Sequence, residues 1–184
     1  MRILIADDES IIRLGLKSML QELGHFVLMA SNGREALQMV RKQSPDMAIL
    51  DIRMPHTDGL RAAKEIARLH PMPIIMLTAF SSDDLIEKAS DLPIQGYLVK
   101  PVQKGALHAA IKVAQKRFEE SVEMKLTSQK LALALETRKI VDRAKGKLMH
   151  EKGLNEEDAY RLLQLRARES RKSLKDVATA VLAA

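Results

Sequence analysis

The stretch Ala48–Gly59, AILDIRMPHTDG, decides how this chain folds. It starts as a short apolar run, reaches an aspartate at position 51 and turns at Pro55. A strand this short and apolar is typical of a parallel sheet that is buried on both faces. A carboxylate at the end of a buried strand is costly unless a partner compensates its charge. The ends of the other apolar runs supply such partners.

Apolar runs of this kind recur along the first part of the chain. They are Ile3–Ala6, Phe26–Ala30, Met47–Leu50, Ile74–Leu77 and Gly96–Val99. Segments of helical spacing lie between them, and Ser44-Pro45 and His70-Pro71 are expected to end two helices, because proline disfavours helix in the residue before it. This alternation predicts an α/β domain over residues 1–120, with a flavodoxin-like, doubly wound, five-stranded parallel sheet.

Carboxylates follow two of the predicted strands. Asp7 and Asp8 follow the first run and Asp51 follows the third, and a flavodoxin-like strand order makes these two strand ends neighbours. Three crowded carboxylates resist ionisation unless a cation joins them. Oxygen ligands of this kind suit Mg²⁺, so the sequence predicts a magnesium site at this edge of the sheet.

Two further strand ends supply the remaining groups of a phosphoryl site. Thr78 follows the fourth run with a hydroxyl, and Lys100 follows the fifth with a mobile ammonium group. A free carboxylate can act as the nucleophile, while the metal and the lysine neutralise charge on the transferred oxygens. A lone Asp, Thr or Lys at a strand end is usually a cap or turn residue. Their combination predicts phosphorylation of Asp51.

These motifs resemble those of response-regulator receiver domains. The matching stretches are ADD with Asp7 and Asp8, LDIRMPHTDG with Asp51, TA with Thr78, and YLVKP with Tyr97 and Lys100. The resemblance implies a Mg²⁺ ion held by Asp8, Asp51 and the backbone carbonyl of Arg53, with Asp7 assisting.

The same resemblance implies how the site is used. A sensor histidine kinase would donate the phosphoryl group to Asp51, Tyr97 would be the switch aromatic, and the Lys100-Pro101 bond would be cis. The chain would then be a regulator that accepts a phosphoryl group, with slow autodephosphorylation, and not an enzyme.

The composition narrows the class of protein. Hydrophobic residues make up 46% of the 184-residue chain, which allows a substantial core, and cysteine is absent. The lack of cysteine excludes disulfides, thiol catalysis and cysteine-ligated metals. No apolar run approaches the length of a membrane span and the N-terminus lacks a signal-peptide pattern, so we expect a cytoplasmic protein without a membrane partner.

Positive charge is concentrated in the second part of the chain. Residues 1–103 hold 12 lysine and arginine residues against 13 acidic ones, whereas residues 104–184 hold 18 against 11. This excess predicts a polyanionic partner, although a solvated, lysine-rich helical surface is the plain alternative.

Residues 106–145 contain neither glycine nor proline and are rich in Ala, Lys, Glu, Leu and Gln. This composition predicts an extended connecting helix that overlaps both halves of the chain. An intermittent apolar seam along it allows a paired coiled coil, and we expect a homodimer that phosphorylation favours. The seam consists of Ile111, Phe118, Leu126, Leu133 and Ile140.

Capping signals divide the rest of the chain into short helices. Gly153 suits the position after a helix, and Asn155 followed by Asp158 predicts a helix start. Ser173 followed by Asp176 predicts another. With the end of the connecting helix, these signals predict a small three-helix, all-α domain.

Basic residues form a stripe on this domain. Lys139, Arg143 and Lys147 recur at i, i+4 and i+8, with Lys145 nearby, and further arginines crowd the end of the next helix. Such a stripe opposite an apolar face fits binding to a phosphate backbone. The candidates for RNA contact are Lys139, Arg143, Lys145, Lys147, Arg168 and Arg171.

Residues 127–184 resemble the ANTAR domain, named for the AmiR and NasR transcription antitermination regulators. The matching stretches are RAKGKLM, EEDAYRLLQLRA and SRKSLKDVA. That family binds paired RNA hairpins in nascent transcripts and prevents formation of a terminator, so the resemblance implies structured RNA as the partner and antitermination as the function. Its signature positions are expected to pack in the helical core: Ala144, Met149, Ala159, Tyr160, Leu163, Ala167 and Ala178.

Two other functions remain open at this point. Two short helices joined by a turn also fit a DNA-reading helix-turn-helix, which would make the chain a DNA-binding transcriptional response regulator. The third interpretation is a receiver whose helical tail serves only protein–protein assembly.

Overall fold

The computed structural model describes residues 1–54, 58–79 and 92–183. The chain divides into two compact units, Met1–Val122 and Glu123–Ala184. No helix in the described ranges is long and apolar enough to cross a membrane.

The first unit contains the predicted parallel sheet. Its strands are β1 (Arg2–Ala6), β2 (Phe26–Ala30), β3 (Met47–Asp51), β4 (Ile74–Thr78) and β5 (Gly96–Val99). They are hydrogen-bonded in the order β2-β1-β3-β4-β5, and every neighbouring pair is parallel. The prediction of a flavodoxin-like, five-stranded sheet is therefore confirmed. Every residue of β3 and of β4 is buried, as the continuous apolar runs predicted.

Helices connect the strands, in the segments where apolar residues recur with helical spacing. Helix α1 spans Ser10–Glu22, α2 spans Gly33–Gln43 and α3 spans Gly59–Leu69. Ser44 is the C-cap of α2 and His70 that of α3, and each lies directly before a proline, as expected. The connection between β4 and β5 includes residues 80–91, which lie outside the described residues, as do 55–57 of the opening motif.

Side chains alternate between the two faces of the sheet and form two cores. Leu4, Leu50 and Met76 pack on one face with α2 and α3. Ile3, Ile49 and Ile75 pack on the other. Because both faces are covered, the side chains at the carboxyl ends of the strands remain the natural place for a polar site.

The second unit consists of helices. Helix α4 spans Lys104–Lys152, longer than the predicted 106–145, and its residues from Glu123 onward belong to this unit. Helix α5 spans Glu156–Ser170 and α6 spans Leu174–Ala183. Their common core contains Val141, Ala144, Leu148, Ala159, Leu163, Val177, Ala178 and Val181.

The predicted caps of these helices are present. Gly153 follows α4 with a φ of 66°, in the left-handed region that favours glycine. The Asn155 side chain accepts a hydrogen bond from the backbone amide of Asp158 at 2.8 Å. The Ser173 hydroxyl accepts one from the amide of Asp176 at 3.1 Å. Local sequence therefore sets where α4 ends and where α5 and α6 begin.

The apolar seam of α4 has two environments. Ile111 is buried in the core of the first unit, and Ile140 packs against the core of the second. Between them Leu126 and Leu133 are 52% and 57% exposed. Only this middle part of the seam lies open to solvent.

Candidate functional site

The sheet order brings the predicted carboxylates together. β1 and β3 are neighbours, and Ala6 lies opposite Leu50, so Asp7 and Asp51 end up at the same edge. Carboxylate oxygens of Asp7, Asp8 and Asp51 all lie within 4.8 Å of one another. Asp7 is fully buried and Asp51 is 6% exposed, whereas Asp8 is open to solvent.

Lys100 reaches into this cluster from the end of β5. Its Nζ atom lies 2.7 Å from Oδ2 of Asp7 and 3.1 Å from Oδ2 of Asp51. A third carboxylate, that of Glu9, lies 3.7 Å away and is exposed. The lysine thus joins the two buried carboxylates, and the resemblance-implied cis bond between Lys100 and Pro101 is present.

Burial dominates the electrostatics of Asp51. Burial raises the pKa of its carboxyl, and the hydrogen bond from Lys100 and the backbone amide of Arg53 oppose this shift. For Lys100, burial by itself would lower the pKa, but the carboxylates of Asp7 and Asp51 outweigh it and raise the pKa above its ordinary value. Lys100 therefore stays charged beside the largely buried carboxylate of Asp51.

The donor set fits a hard divalent cation. All three side chains offer oxygen, and a single lysine charge does not neutralise three carboxylates. Asp8 is exposed, so an ion held here could keep water ligands. Arg53, whose carbonyl the family resemblance assigns to the metal, lies two residues after Asp51 and is exposed.

The two predicted switch residues lie on neighbouring strands. Thr78 ends β4, is 4% exposed, and its hydroxyl donates to the carbonyl of Ala79 at 3.0 Å. Tyr97 lies on β5 and packs, partly buried, against the core beneath α2 and α3. The backbone amide of Lys100 donates to the carbonyl of Thr78 at 2.9 Å, which ties the end of β5 to the end of β4.

Two residues of this site were missed by the sequence analysis. A Cβ on Gly59, at the start of α3, would overlap the backbone carbonyl of Asp51, so only glycine allows α3 to begin there. The guanidinium of Arg13 donates to the backbone carbonyls of Asp7 at 2.7 Å and Asp8 at 3.0 Å. The Asp-Gly pair at the helix start was a usable signal for Gly59, but nothing local marked Arg13.

In the second unit, the basic candidates for RNA contact differ in whether they form ion pairs with acidic side chains. Lys145 is only 15% exposed, and its Nζ lies 2.8 Å from Asp142 and 2.7 Å from Glu156. These carboxylates raise the pKa of Lys145, and its ammonium also lies 5.9 Å from the ring centroid of Tyr160. Lys145 thus links α4 to the start of α5. Its positive charge is largely neutralised by Asp142 and Glu156.

Lys139 and Arg143, in contrast to Lys145, are not paired with carboxylates. Both are exposed, and within the described ranges neither has an acidic side chain at ion-pair distance. Lys147 has only a loose contact of 3.6 Å with Glu151. Free cations on one helix face are what a phosphate backbone requires.

The remaining two candidates lie apart from Lys145. Arg168 is in the last turn of α5 and Arg171 is its C-cap, with a φ of 52°. Arg168 is 12 positions after Glu156, which corresponds to about 18 Å along the helix. The six candidates therefore do not form one compact site around Lys145.

The expectation that all ANTAR signature positions pack in the core is wrong for two of them. Ala144, Ala159, Leu163 and Ala178 are buried and Ala167 packs against the core, but Met149 is 38% and Tyr160 39% exposed. Helical periodicity places them at the edge of the apolar face, where periodicity alone does not determine burial.

Gly146 also stands out on this exposed surface. A Cβ placed on it would have no neighbour within 4 Å beyond the helix's own backbone, and its φ is not in the left-handed region. A glycine inside a helix costs about 1 kcal/mol relative to alanine. Neither packing nor backbone conformation within the unit explains this cost.

Comparisons with known proteins match a known domain in each of the two units. Residues 3–112 match the response regulator receiver domain. Among curated proteins, the chain is 43% identical over 182 residues to the transcriptional regulatory protein PdtaR of Mycobacterium tuberculosis, which covers 98% of this chain and 89% of PdtaR. The chain belongs to the response regulator family. This response regulator also carries an ANTAR domain, matched over residues 129–182.

Solved receiver structures resemble the first unit of this response regulator. The signal receiver domain of a modulated diguanylate cyclase from Desulfovibrio desulfuricans is 30% identical, with a TM-score of 0.61, and covers 65% of this chain and 97% of its own. A receiver domain from Clostridium thermocellum is 34% identical, with a TM-score of 0.58, and covers 64% and 96%. A receiver joined to an ANTAR domain is the composition of a regulator.

Proposed function

We propose that this response regulator is phosphorylated on Asp51 by a sensor histidine kinase and then binds hairpin RNA through its ANTAR domain, acting as a transcription antiterminator. The observation that carries the first half is the meeting of Asp7, Asp8, Asp51 and Lys100 within ion-pair and metal-ligand distances. The second half rests on the ANTAR match and the positive charge of the same part of the chain.

The chemistry is transfer of a phosphoryl group to a carboxylate. An oxygen of Asp51 attacks the phosphorus of a phosphohistidine, the new O–P bond forms, and the N–P bond breaks with its electron pair returning to the imidazole. Lys100, held 3.1 Å from Oδ2 of Asp51, is placed to pair with an oxygen of the transferred group. The product is an acyl phosphate on Asp51.

Asp8, Asp51 and the carbonyl of Arg53 would hold Mg²⁺, with Asp7 assisting. Bound there, the ion would neutralise charge on the phosphoryl oxygens. Arg13 fixes the backbone carbonyls of both residues of the acidic pair, so it supports the loop from which Asp8 projects.

The signal would leave the site through Thr78 and Tyr97. A phosphoryl oxygen offers the Thr78 hydroxyl a stronger acceptor than the carbonyl of Ala79 that it now uses. Movement of Thr78 and Tyr97 would shift a pre-existing equilibrium between two states. We propose that the favoured state is a homodimer paired through α4, whose Leu126 and Leu133 are exposed.

Among the RNA candidates, Lys139 and Arg143 are proposed to contact phosphates directly. Lys147, Arg168 and Arg171 are secondary candidates, because they lie at the edge of this stripe or on another helix. Lys145 is proposed to act mainly by holding Glu156 and Tyr160 in place.

The test is binding of the full-length protein to hairpin RNA and to duplex DNA, with and without a small phosphodonor and Mg²⁺. Sequencing of RNA that copurifies with the phosphorylated protein would supply the natural hairpins. We expect phosphorylation to promote both dimer formation, seen by sedimentation, and hairpin binding. Tight duplex DNA binding that outcompetes every hairpin would favour a DNA-binding regulator, and binding to neither would favour a tail for protein assembly.

A further inference from the structure

The loop between β1 and α1 carries a proposed metal ligand that no other side chain holds in place. Asp8 projects from this loop, and within the described ranges its carboxylate has neither a hydrogen bond nor an ion pair. Asp7 differs, because its carboxylate accepts from the backbone amide of Glu9 at 2.9 Å and pairs with Lys100 at 2.7 Å. The position of the Asp8 carboxylate therefore depends on the backbone of the loop.

The helix that follows does not fix this loop in the usual way. At the start of a helix, the N-cap side chain commonly accepts a hydrogen bond from a backbone amide of the first turn. The N-cap of α1 is Glu9, and its side chain makes no such bond. The loop thus lacks one of the bonds that ordinarily hold a connection between a strand and a helix.

Arg13 supplies this support from the first turns of α1. Its backbone amide donates to the carbonyl of Glu9 at 3.1 Å. A single guanidinium nitrogen, Nη1, donates to the carbonyls of Asp7 at 2.7 Å and Asp8 at 3.0 Å. These carbonyls belong to the two peptide groups that flank the Cα atom of Asp8. Holding both groups fixes the direction in which the Asp8 side chain leaves the backbone.

The surroundings of Arg13 leave the acidic cluster charged. Hydrogen bonds from the backbone amide and the hydroxyl of Ser31, at 2.6 and 2.7 Å, lower the pKa of the Glu35 carboxyl, and the charge of Arg13 lowers this pKa further. Within the described ranges, Arg13 itself forms no ion pair with a carboxylate. It therefore holds the loop through carbonyl groups and leaves the carboxylates of the cluster available to a cation.

We propose that Arg13 is a positioning residue of the magnesium site, and that its two bonds to the loop set the affinity for Mg²⁺. The inference rests on the proposed function and adds a residue that acts through Asp8 without touching the ion. Mg²⁺ demands near-ideal octahedral geometry, so a ligand that is already oriented binds it better. Loss of a group that orients a metal ligand typically lowers metal affinity 10- to 100-fold.

Charge and positioning predict opposite effects of replacing Arg13 by a neutral residue. Removing a positive charge near three carboxylates strengthens cation binding if charge alone matters. Removing the bonds that orient Asp8 weakens it. The direction of the change therefore distinguishes the two roles.

The experiment compares Arg13→Met and Arg13→Lys with the wild-type protein, all full length and without a phosphodonor. Mg²⁺ is titrated while the backbone amide signals of Asp8 and Asp51 are followed by NMR, which gives a Kd for the ion without any phosphoryl transfer. We expect Arg13→Met, which has no donor, to raise this Kd about tenfold. Arg13→Lys should raise it less, because an ammonium group can still donate to a carbonyl.

A second measurement separates positioning of the ion from damage to the phosphoryl site. Labelling of Asp51 by a small phosphodonor is followed at increasing Mg²⁺ concentration. In Arg13→Met the concentration for half-maximal labelling should rise by the same factor as the Kd. The labelling rate at saturating Mg²⁺ should stay within about twofold of the wild type, because the ion then restores the position of Asp8.

The matched control is Arg2→Met. The guanidinium of Arg2 also donates to a backbone carbonyl, that of Ser44 at 2.8 Å, and Arg2 begins the same strand at its opposite end. This variant should bind Mg²⁺ like the wild type.

The proposal is overturned if both Arg13 variants bind Mg²⁺ as tightly as the wild type or more tightly. It is also overturned if Arg2→Met weakens Mg²⁺ binding equally, or if saturating Mg²⁺ does not restore labelling of the folded Arg13 variants. Failure of the proposed function looks different. In that case the wild type itself binds no Mg²⁺ at the cluster, or its Asp51 accepts no label.

Discussion

The receiver site and the ANTAR surface use charge in opposite ways. In the receiver, the largely buried side chain of Lys100 lies 2.7 Å from Asp7 and 3.1 Å from Asp51, both buried, so the three side chains hold one another in place. On the ANTAR surface, the charge that is well fixed, Lys145, is neutralised by its neighbours. The unpaired charges of Lys139 and Arg143 lie in solvent.

The two proposed functions account for this difference. A phosphoryl acceptor must hold like charges close together, which requires burial and a compensating cation in a rigid frame. A surface that binds a polyanion gains from cations that water and salt ions surround, because binding releases those salt ions. In the proposed function, paired charges form the site of the first unit and unpaired charges form that of the second.

The largest expected effect concerns Asp51. Asp51→Asn should abolish labelling by a small phosphodonor, because the amide lacks the nucleophilic oxygen, and excess chelator should do the same to the wild type. The matched control is Asp46→Asn, an exposed aspartate just before the other end of β3 whose side chain accepts from the amide of Arg2. Undiminished labelling of Asp51→Asn would mean that the phosphoacceptor is another residue.

Gly59→Ala should disturb the same site without removing any of its charges. The added methyl group would overlap the carbonyl of Asp51, so we expect a loss of about 1–3 kcal/mol in the free energy of unfolding and slower labelling of Asp51. Urea unfolding measures the first quantity. The control Gly15→Ala should be neutral or stabilising. If both variants behave alike, the contact between α3 and Asp51 is not a constraint.

On the ANTAR surface, salt dependence should distinguish free from paired cations. Log affinity for hairpin RNA falls linearly with log salt concentration. Arg143→Gln should make this negative slope shallower by about 0.7–0.9, as expected for one lost phosphate contact. Lys145→Gln should change the slope much less, because its ammonium is held by Asp142 and Glu156. An equal drop for Lys145→Gln would show that this lysine leaves its carboxylates to reach the RNA.

The smallest effect is expected for a surface ion pair. Nζ of Lys175 on α6 lies 3.2 Å from Oε2 of Glu136 on α4, and the two side chains are 32% and 58% exposed. Glu136→Gln should reduce the free energy of unfolding by less than about 1 kcal/mol, and less still in high salt. Glu151→Gln, which removes a contact within α4 alone, is the matched control. A loss well above that of the control would mean that this pair is needed to dock α6.

Much of the fold could be predicted because its signals are local. The apolar runs predicted every strand to within a residue at each end, and Ser44, His70, Asn155 and Ser173 marked helix boundaries through proline and capping rules. The predicted range 106–145 for α4 was too short because it ended at Gly105 and Gly146, which the helix includes, whereas the capping signal of Gly153 marked the true end. The acidic cluster could be anticipated because parallel strands bring their carboxyl ends to one edge.

What the sequence by itself determined is the set of elements, their parallel order and the meeting of Asp7, Asp8 and Asp51, because period, caps and strand ends are read from neighbouring residues. Only the tertiary structure decided that Lys145 is bound while Arg143 is free, that Met149 and Tyr160 are exposed, and that Gly59 adjoins the carbonyl of Asp51. These facts depend on distances between residues on different elements. No local pattern encodes such distances, since they depend on how side chains from different elements pack together.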